Sequence, residues 1–273
     1  METVEASRDV RCLAVSKDGR WIAAGTSWGD VFVWNAKTYR KVISHRDYNR
    51  IRRDVNGVDF SPDSTRLVSA SDNGTASIWD IATRLPIQIL DHEKQWVTTA
   101  KYSSQGDRIA TASPNSVRVW DSNDGRLLKN VRRVGATPWY NTGLLWSNNH
   151  LFVMSDNEVK QIDASSGSAV SRRPVPGTSH FSCIALPKHE EFIAYSTQRT
   201  ITLSDTAIHS RIGLIQHPQD IRSIAVSPND QFLAIGGQDG KITIHSLSRN
   251  IVSILSRWIV VHMKNFLALI TPQ

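Results

Sequence analysis

The chain has 273 residues, enough for one all-β domain or two small domains with a sizeable core. Hydrophobic residues make up 40% of it and charged residues 21%, a balance that excludes a wholly disordered chain. The formal net charge of +7 favours acidic partners. Two cysteines are too few for a disulfide framework, which fits a reducing compartment, and the polar segment Met1–Asp9 lacks the pattern of a secretory signal.

One segment recurs along the chain, each copy ending at an aromatic residue or its substitute. Residues 12–34 read CLAVSKDGRWIAAGTSWGDVFVW, residues 57–79 read GVDFSPDSTRLVSASDNGTASIW, and residues 98–120 read TTAKYSSQGDRIATASPNSVRVW. The last positions of the six copies are 45, 41, 42, 42 and 41 residues apart, at Trp34, Trp79, Trp120, Ile162, Ser204 and His245. A fixed period of this length is typical of a repeat architecture.

Each repeat contains four short apolar or alternating runs separated by polar turns such as Ser61-Pro62-Asp63-Ser64. Alternation of the kind seen in Ala76-Ser77-Ile78 indicates strands with unlike faces. Four strands make one propeller blade, which must stack on neighbours to bury both faces. We therefore expect an all-β fold, a six-bladed β-propeller of four-stranded antiparallel blades, with repeats near residues 10–45, 55–91, 96–131, 141–173, 181–216 and 221–256.

The C-terminus departs from the repeat. Ile251–Leu255 fits the fourth strand of the last blade, and residues 257–273 form a short apolar tail outside the repeat register. Arg257, His262 and Lys264 argue against a membrane span, because a central charge costs about 2.5–3.5 kcal/mol. We expect a helix or irregular tail packed on the propeller, with membrane contact as the minority interpretation.

The Trp-Asp pairs at Trp79-Asp80 and Trp120-Asp121, with Trp34-Asn35 as a near match, are the defining dipeptide of WD repeats. That family has a Gly-His pair before each repeat, and here only the histidine is kept, in Ser44-His45, Asp91-His92 and Gln216-His217. On these residues the chain resembles the WD-repeat β-propeller family over roughly residues 1–256. The family commonly has seven blades, so an incomplete seven-bladed ring is the alternative, and closure between blades six and one is expected to be the least secure.

The resemblance implies a structural role for the histidines. In WD repeats a His, a strand Ser or Thr, a turn Asp and the Trp form a buried hydrogen-bond network. Asn73 and Pro114 replace the Asp in repeats two and three, and Ile235 and His245 replace the hydroxyl and the Trp in repeat six. We therefore expect incomplete networks and modest stability. The expected network residues are His45, Ser69 and Trp79, then His92, Thr111 and Trp120, and finally His217 and Asp239.

Nothing in the sequence indicates catalytic chemistry. There is no nucleophile elbow, P-loop or dinucleotide fingerprint. Cys183 with His180 and His189 lacks a spaced fourth ligand for zinc. Cys12 and Cys183 are expected as separate buried thiols in strand one of different blades. We predict no catalytic residue, cofactor or metal, and no enzyme activity.

The connectors from strand four to the next strand one, together with the turns between strands two and three, share one rim of a propeller. Arg, Trp and Tyr, the residues enriched in interface hot spots, recur in these segments. They predict a basic rim dotted with aromatic residues, although solvated arginines and packed tryptophans are the alternative. The candidate partner-binding residues are Trp28, Arg46, Tyr48, Arg50, Arg52, Arg53, Trp96, Arg132, Arg133, Trp139, Tyr140, Arg172 and Arg173.

These features predict a non-catalytic protein–protein interaction scaffold. The partners expected are other proteins with acidic surfaces, bound by a monomer or by one member of a complex. A nucleic-acid-associated WD-repeat module is the alternative, supported by the positive charge, and a hydrolytic enzyme is a distant third. The expected location is cytoplasmic, with the nucleus as the alternative.

Overall fold

The chain is built from six four-stranded sheets, one for each sequence repeat. The computed structural model describes residues 6, 9–46, 53–132, 143–155, 158–175, 183–187, 191–206, 210–227, 229–247 and 259–262, and these contain no helix. Each sheet is antiparallel and follows chain order. The strands are β1 Val10–Val15, β2 Trp21–Thr26, β3 Val31–Asn35, β4 Lys41–His45, β5 Val55–Phe60, β6 Arg66–Ser71, β7 Thr75–Asp80, β8 Pro86–Asp91, β9 Thr99–Tyr102, β10 Arg108–Ala112, β11 Ser116–Asp121, β12 Leu127–Arg132, β13 Leu144–Ser147, β14 His150–Ser155, β15 Glu158–Asp163, β16 Ala169–Pro174, β17 Ile184–Ala185, β18 Phe192–Thr197, β19 Thr200–Asp205, β20 Arg211–Gln216, β21 Ile221–Val226, β22 Phe232–Gly237, β23 Lys241–Ser246 and β24 Ile259–His262.

The prediction of six blades with four antiparallel strands each is confirmed. Strands one to four of every blade are consecutive in the chain, as expected when short turns join neighbouring strands. How the ring closes stays a prediction.

A serine closes the turn between strands one and two in four repeats. The N–H of Ser61 donates to the carbonyl of Arg66 at 3.0 Å, and the Ser61 Oγ accepts from the N–H of Arg66 at 2.9 Å. This pair of bonds places the first residue of strand two at the same point of each of these blades. The serines and the residues they hold are Ser16 with Trp21, Ser61 with Arg66, Ser103 with Arg108, and Ser227 with Phe232.

Strands three and four meet at a recurrent bulge. A bulge adds one residue to one strand and increases the local twist. The register shift falls beside the position of the repeat's tryptophan, and the position is kept where Ser204 has replaced the Trp. The shifts lie at Val33/Trp34, Ile78/Trp79, Val119/Trp120 and Leu203/Ser204.

The chain divides into two compact units, Met1–Phe152 with Gln161–Val170, and Val153–Lys160 with Ser171–Gln273. In the first unit, the two faces of blade two belong to different cores. Leu67 of β6 packs in a cluster with Val33 of blade one, whereas Val68 packs with Ile109 of blade three. Successive side chains of a strand point to opposite faces, so one strand supplies both interfaces.

The second unit has its own core between blades five and six, in which Ala194 and Leu203 pack with Leu233 and Ile235. Its last strand corrects the sequence analysis. Strand β24, Ile259–His262, pairs with β23 as the fourth strand of blade six, so four residues of the expected non-repeat tail belong to a blade. Ile251–Leu255 was expected in this position and lies outside the described residues. Both segments are apolar and rich in β-branched residues, so pattern alone did not separate them.

Candidate functional site

The connector rim consists of the strand-four to strand-one connectors and the turns between strands two and three. Of its expected residues, Arg46, Arg132 and Arg172 are exposed, Trp96 is 39% exposed, and Trp28 and Arg53 are half-buried. Their role in partner binding stays a prediction. The rest lie outside the described residues: Tyr48, Arg50, Arg52, Arg133, Trp139 and Tyr140.

The prediction that Arg173 lies exposed on the rim is wrong, because this residue is buried. Its Nη2 donates to the main-chain carbonyl of Thr206 at 3.3 Å, and burial lowers the pKa of its guanidinium. Arg172 and Arg173 are neighbours in β16, and neighbouring strand residues face opposite sides of a sheet. Arg172 faces solvent, and Arg173 faces the opposite side of the strand, where it reaches Thr206.

Hydrogen bonds hold the connector that carries Trp96. The N–H of His92 donates to Gly74 O at 2.9 Å, and that of Val97 donates to Ser71 O at 3.0 Å. Gly74 has φ +89°, and a Cβ at this position would lie 2.7 Å from the Cα of Lys94. The turn between strands two and three and the connector therefore pack with their backbones in contact, which requires glycine.

Asn56 joins three rim segments. Its Nδ2 donates to Asp72 Oδ1 at 2.6 Å and to Val97 O at 3.1 Å, and the N–H of Asp72 donates to Asp54 O. The connectors before β5 and β9 and the turn after β6 are thus held together. Arg53 and Trp96 each sit beside a residue of this hydrogen-bonded group.

The charge on the described part of this rim is mixed. Asp91 is exposed, and Glu93 is 75% exposed and pairs with the buried Arg118 at 3.1 Å. Arg11 pairs with Asp54 at 2.9 Å. Acidic side chains therefore lie between the arginines, so the rim combines both signs of charge.

In repeat three the expected histidine, hydroxyl and tryptophan are in contact. His92 Nε2 lies 2.6 Å from Thr111 Oγ1, and Trp120 Nε1 donates to the same oxygen at 2.7 Å. His92 Nδ1 is buried and has no hydrogen-bond partner among the described residues, at the point where the family's Asp is replaced by Pro114. Burial, followed by the Arg118 charge, lowers the pKa of His92 to about 3.

In repeat two, Trp79 Nε1 donates to Ser69 Oγ at 2.9 Å, as expected. The prediction that His45 is the histidine of this network is wrong. His45 is exposed, pairs with Val31 within β4, and contacts the Trp79 ring at a centroid distance of 4.9 Å. It follows Trp34 by 11 residues, whereas His92 follows Trp79 by 13. His45 is therefore two residues short of the network position and is not its buried histidine.

Repeat six contains a hydroxyl that the sequence analysis missed. His217 Nε2 lies 3.2 Å from Thr243 Oγ1, and Thr243 is the strand-three partner of Ile235, the residue in the usual hydroxyl position. His217 Nδ1 lies 2.8 Å from Gln219 O. Asp239 is exposed, and its Oδ1 accepts from the N–H of Lys241 at 3.1 Å. The cross-strand register is the signal that would have found Thr243.

Cys12 and Cys183 are free thiols, and both residues are half-buried where fully buried thiols were expected. Cys12 lies in β1 as expected, and Cys183 comes just before β17. Their Sγ atoms donate to Val55 O at 3.4 Å and to Arg222 O at 3.0 Å, in each case in strand one of the following blade. Burial raises the pKa of Cys12 to about 12 and that of Cys183 to about 11.

Within the described residues, no three or more His, Cys, Asp and Glu side chains cluster as ligands for a metal ion. The same residues include no helix of the length and apolarity needed to cross a membrane. His180 and His189, the other two residues of the weak zinc pattern, lie outside the described residues.

The fold and its Trp-Asp repeats define a WD-repeat β-propeller protein. Residues 209–246 match the family described as WD domain, G-beta repeat. Residues 1–163, more than half of the chain, match the β-propeller family described as nucleolar protein 10-like, N-terminal domain. The chain belongs to this family.

Similar curated proteins share low identity over most of the chain. It is 25% identical to the U3 small nucleolar RNA-associated protein 15 homolog of Xenopus laevis, which it matches over 85% of its own length and 45% of that protein. It is 23% identical to WD repeat-containing protein 1 of Xenopus tropicalis, over 89% and 48%. The Arabidopsis thaliana transcriptional corepressor LEUNIG_HOMOLOG is 23% identical, over 88% and 35%. The chain thus spans less than half of these relatives.

Solved structures share the fold. The β-propeller domain of Myceliophteria thermophila Cps50 (Swd1) superposes with a TM-score of 0.74 at 16% identity, covering 94% of this chain and 87% of that domain. A chain of Kuenenia stuttgartiensis hydrazine synthase gives the same TM-score and identity, covering 94% and 82%. At this identity the likeness concerns the fold alone, because one fold hosts unrelated functions.

Proposed function

We propose that the protein is a non-catalytic scaffold that binds other proteins through its connector rim. The observation that carries the proposal is the exposed Trp96 on a connector held by hydrogen bonds. An aromatic side chain on a fixed backbone loses little conformational entropy when it binds, which is a property of interface hot spots. Arg53 and Arg132 extend the rim with positive charge.

Mixed charge on the rim supports a specific partner surface. Arg46 and Arg132 attract acidic side chains, whereas Asp91 and Glu93 repel them at neighbouring positions. Such alternation selects partners by complementarity, because like charges brought together on binding are unfavourable. A complementary partner presents acidic groups opposite the arginines and no acidic group opposite Asp91 and Glu93.

The experiment compares the wild-type chain with a Trp96→Ala, Arg53→Glu double variant. Both are used to capture partners, and each recovered protein is then purified and its Kd measured. A partner of the connector rim loses at least about tenfold in affinity for the double variant, as expected when a hot-spot residue is removed.

Arg40→Glu is the matched control, because Arg40 is exposed in the turn between β3 and β4 of blade one, at the end of the strands opposite the connector rim. Its partner affinities are expected to equal those of the wild type. If the double variant binds every partner as tightly as the wild type, the connector rim is not the binding surface.

A second candidate is a protein-binding module of a nucleolar RNA–protein assembly. The family description and the U3 small nucleolar RNA-associated relatives favour it, together with the net charge of +7. On this ground we propose a nuclear, nucleolar location in place of the cytoplasmic one expected from the sequence. Imaging of the tagged full chain beside a nucleolar marker tests the location, and a purely cytoplasmic signal contradicts it.

Direct RNA contact is tested separately. If the chain itself contacts phosphates, log K for a structured RNA falls linearly with log salt concentration, and RNase releases partners from the capture experiment. Partners that survive RNase and show no such slope indicate protein contacts alone.

A further inference from the structure

A cavity of about 160 Å³ lies between blades two and three, at the end of the strands opposite the connector rim. Its walls come from the turns between strands one and two of both blades and from the turn after β11. We call it the interblade cavity. Its lining includes Asp63, Thr65, Arg66, Tyr102, Gly106 and Asn123.

Tyr102 contributes a buried hydroxyl to this region. The residue is 6% exposed, and its Oη has no hydrogen-bond partner among the described residues. Burial raises the pKa of the hydroxyl, and the charges acting on it are those of Arg66, Asp59 and Asp63. Two of these three residues line the cavity. A buried polar group without a partner is rare in folded proteins. Tyr102 lines the interblade cavity and also a second cavity beside Asp59, so a ligand in the interblade cavity is one way to satisfy its hydroxyl.

Arg66 supplies a charged donor whose position is fixed. Its Nη1 donates to Ser122 O at 2.9 Å and to Asn123 Oδ1 at 3.4 Å. The other edge, formed by Nε and Nη2, makes no hydrogen bond to any described residue. That edge is one of the two forks through which a guanidinium binds a carboxylate with two parallel hydrogen bonds.

The corresponding arginine at the interface of blades three and four has a carboxylate near the same edge of its guanidinium. Arg108 occupies the position of Arg66 in blade three, and its Nη1 donates to Asn149 Oδ1 at 3.1 Å. Its Nε lies 3.6 Å from Asp107 Oδ2. Blade two has Thr65 in place of Asp107, so the residue before Arg66 supplies no carboxylate, although the Arg66 charge helps to lower the pKa values of Asp63 and Asp80.

We propose that the interblade cavity binds the carboxylate of an aspartate or glutamate side chain of a protein partner, held by the free edge of Arg66 and the hydroxyl of Tyr102. Asp63 on the wall and the nearby Asp59 disfavour a phosphate. A phosphate carries more negative charge than a carboxylate, and only the guanidinium of Arg66 would neutralise it in this cavity. The site rests on the proposed scaffold function but lies on a different surface from the connector rim.

The test is a titration of the wild-type chain with N-acetylglutamate N-methylamide, followed by the backbone amide resonances of Gly106 and Asn123 on the cavity wall, which every variant retains. We expect a saturable shift that N-acetylglutamine N-methylamide does not cause. Arg66→Lys removes the fork and abolishes saturation, whereas Arg108→Lys binds as the wild type does. Tyr102→Phe weakens binding about tenfold, as expected for the loss of one hydrogen bond to a charged group.

The wild-type titration decides the proposal without relying on any variant. Absence of a saturable shift overturns it, as does equal binding to Arg66→Lys. Saturation by inorganic phosphate at lower concentration than by the glutamate probe also overturns it, and indicates a phosphate ligand. Partner capture by the Trp96→Ala, Arg53→Glu variant reports on the connector rim, so the two proposals fail separately.

Discussion

Repeats three and six both place a histidine against a threonine hydroxyl, but the hydroxyl comes from different strands. In repeat three Thr111 is on strand two, and its oxygen also accepts from Trp120. In repeat six Thr243 is on strand three, directly across the sheet from the equivalent Ile235, and the Trp position holds His245.

The difference shows that a contact can be kept while the residue that makes it moves. Cross-strand partners lie close enough for either to reach the histidine. What repeat six lacks is the second bond, because an indole N–H does not meet Thr243. We therefore expect the hydroxyl of repeat three to contribute more stability than that of repeat six.

Thr111→Val sharpens the comparison most. The substitution keeps the shape of the side chain and leaves His92 Nε2 and Trp120 Nε1 buried without their shared partner. Each buried group left unsatisfied costs about 1–3 kcal/mol, so we expect a loss of about 3 kcal/mol. Urea unfolding measures it, with an unchanged m-value showing that the same structure unfolds. A loss below that of Thr243→Val contradicts the comparison.

Acid should weaken repeat three through His92. Its pKa is about 3 in the folded chain, below the ordinary value of 6.5, so the unfolded chain binds the additional proton between these values. The contribution is complete above pH 6.5 and is lost as pH falls toward 3, by about 2 kcal/mol between pH 7 and pH 5.

Urea unfolding at a series of pH values measures this loss. His92→Asn should flatten the profile over that range, and the exposed His45→Asn is the control that should leave it unchanged. A wild-type profile as flat as that of His92→Asn contradicts the assignment.

Thr243→Val should have a smaller effect, about 1 kcal/mol, because only one hydrogen bond of 3.2 Å is removed. Thermal and urea unfolding both report it, and His217→Asn should cause no further large loss in the Thr243→Val background, since the two residues act as a pair. Additive losses would show that they do not.

Tyr102→Phe should have the smallest effect and the opposite sign. This hydroxyl in repeat three is buried and has no hydrogen-bond partner among the described residues, so its removal should stabilise the free chain by up to about 1 kcal/mol. A loss of stability in urea unfolding would show that the hydroxyl is already satisfied and that the interblade cavity needs no ligand.

Sequence reasoning succeeded where the signal repeats and failed where it depends on one position. The 41- to 45-residue period predicts the six blades, because every copy supports the same register. Arg173 was assigned to the surface by composition, although its burial depends on the packing of its side chain beside Thr206. His45 was aligned by residue type, although its spacing from Trp34 differs from that in the other repeats.

The features of the interblade cavity could not be predicted from the sequence. Arg66 and Tyr102 are 36 residues apart and belong to different blades. Their proximity depends on blade packing, and the free edge of Arg66 depends on a main-chain carbonyl that accepts from its other edge. No sequence pattern indicates the direction of the Ser122 carbonyl or whether the Tyr102 hydroxyl has a hydrogen-bond partner.

The two thiols are natural probes of local opening, one in each of the two compact units of the chain. Cys12 lies in the first unit and Cys183 in the second; each residue is half-buried, and burial raises the pKa of its thiol. Only a thiolate reacts rapidly with an alkylating reagent, so local opening that exposes a sulfur and returns its pKa toward the ordinary value should speed its modification. Mass spectrometry of the two cysteine peptides during alkylation therefore reads the opening rate of each unit separately, without an engineered label.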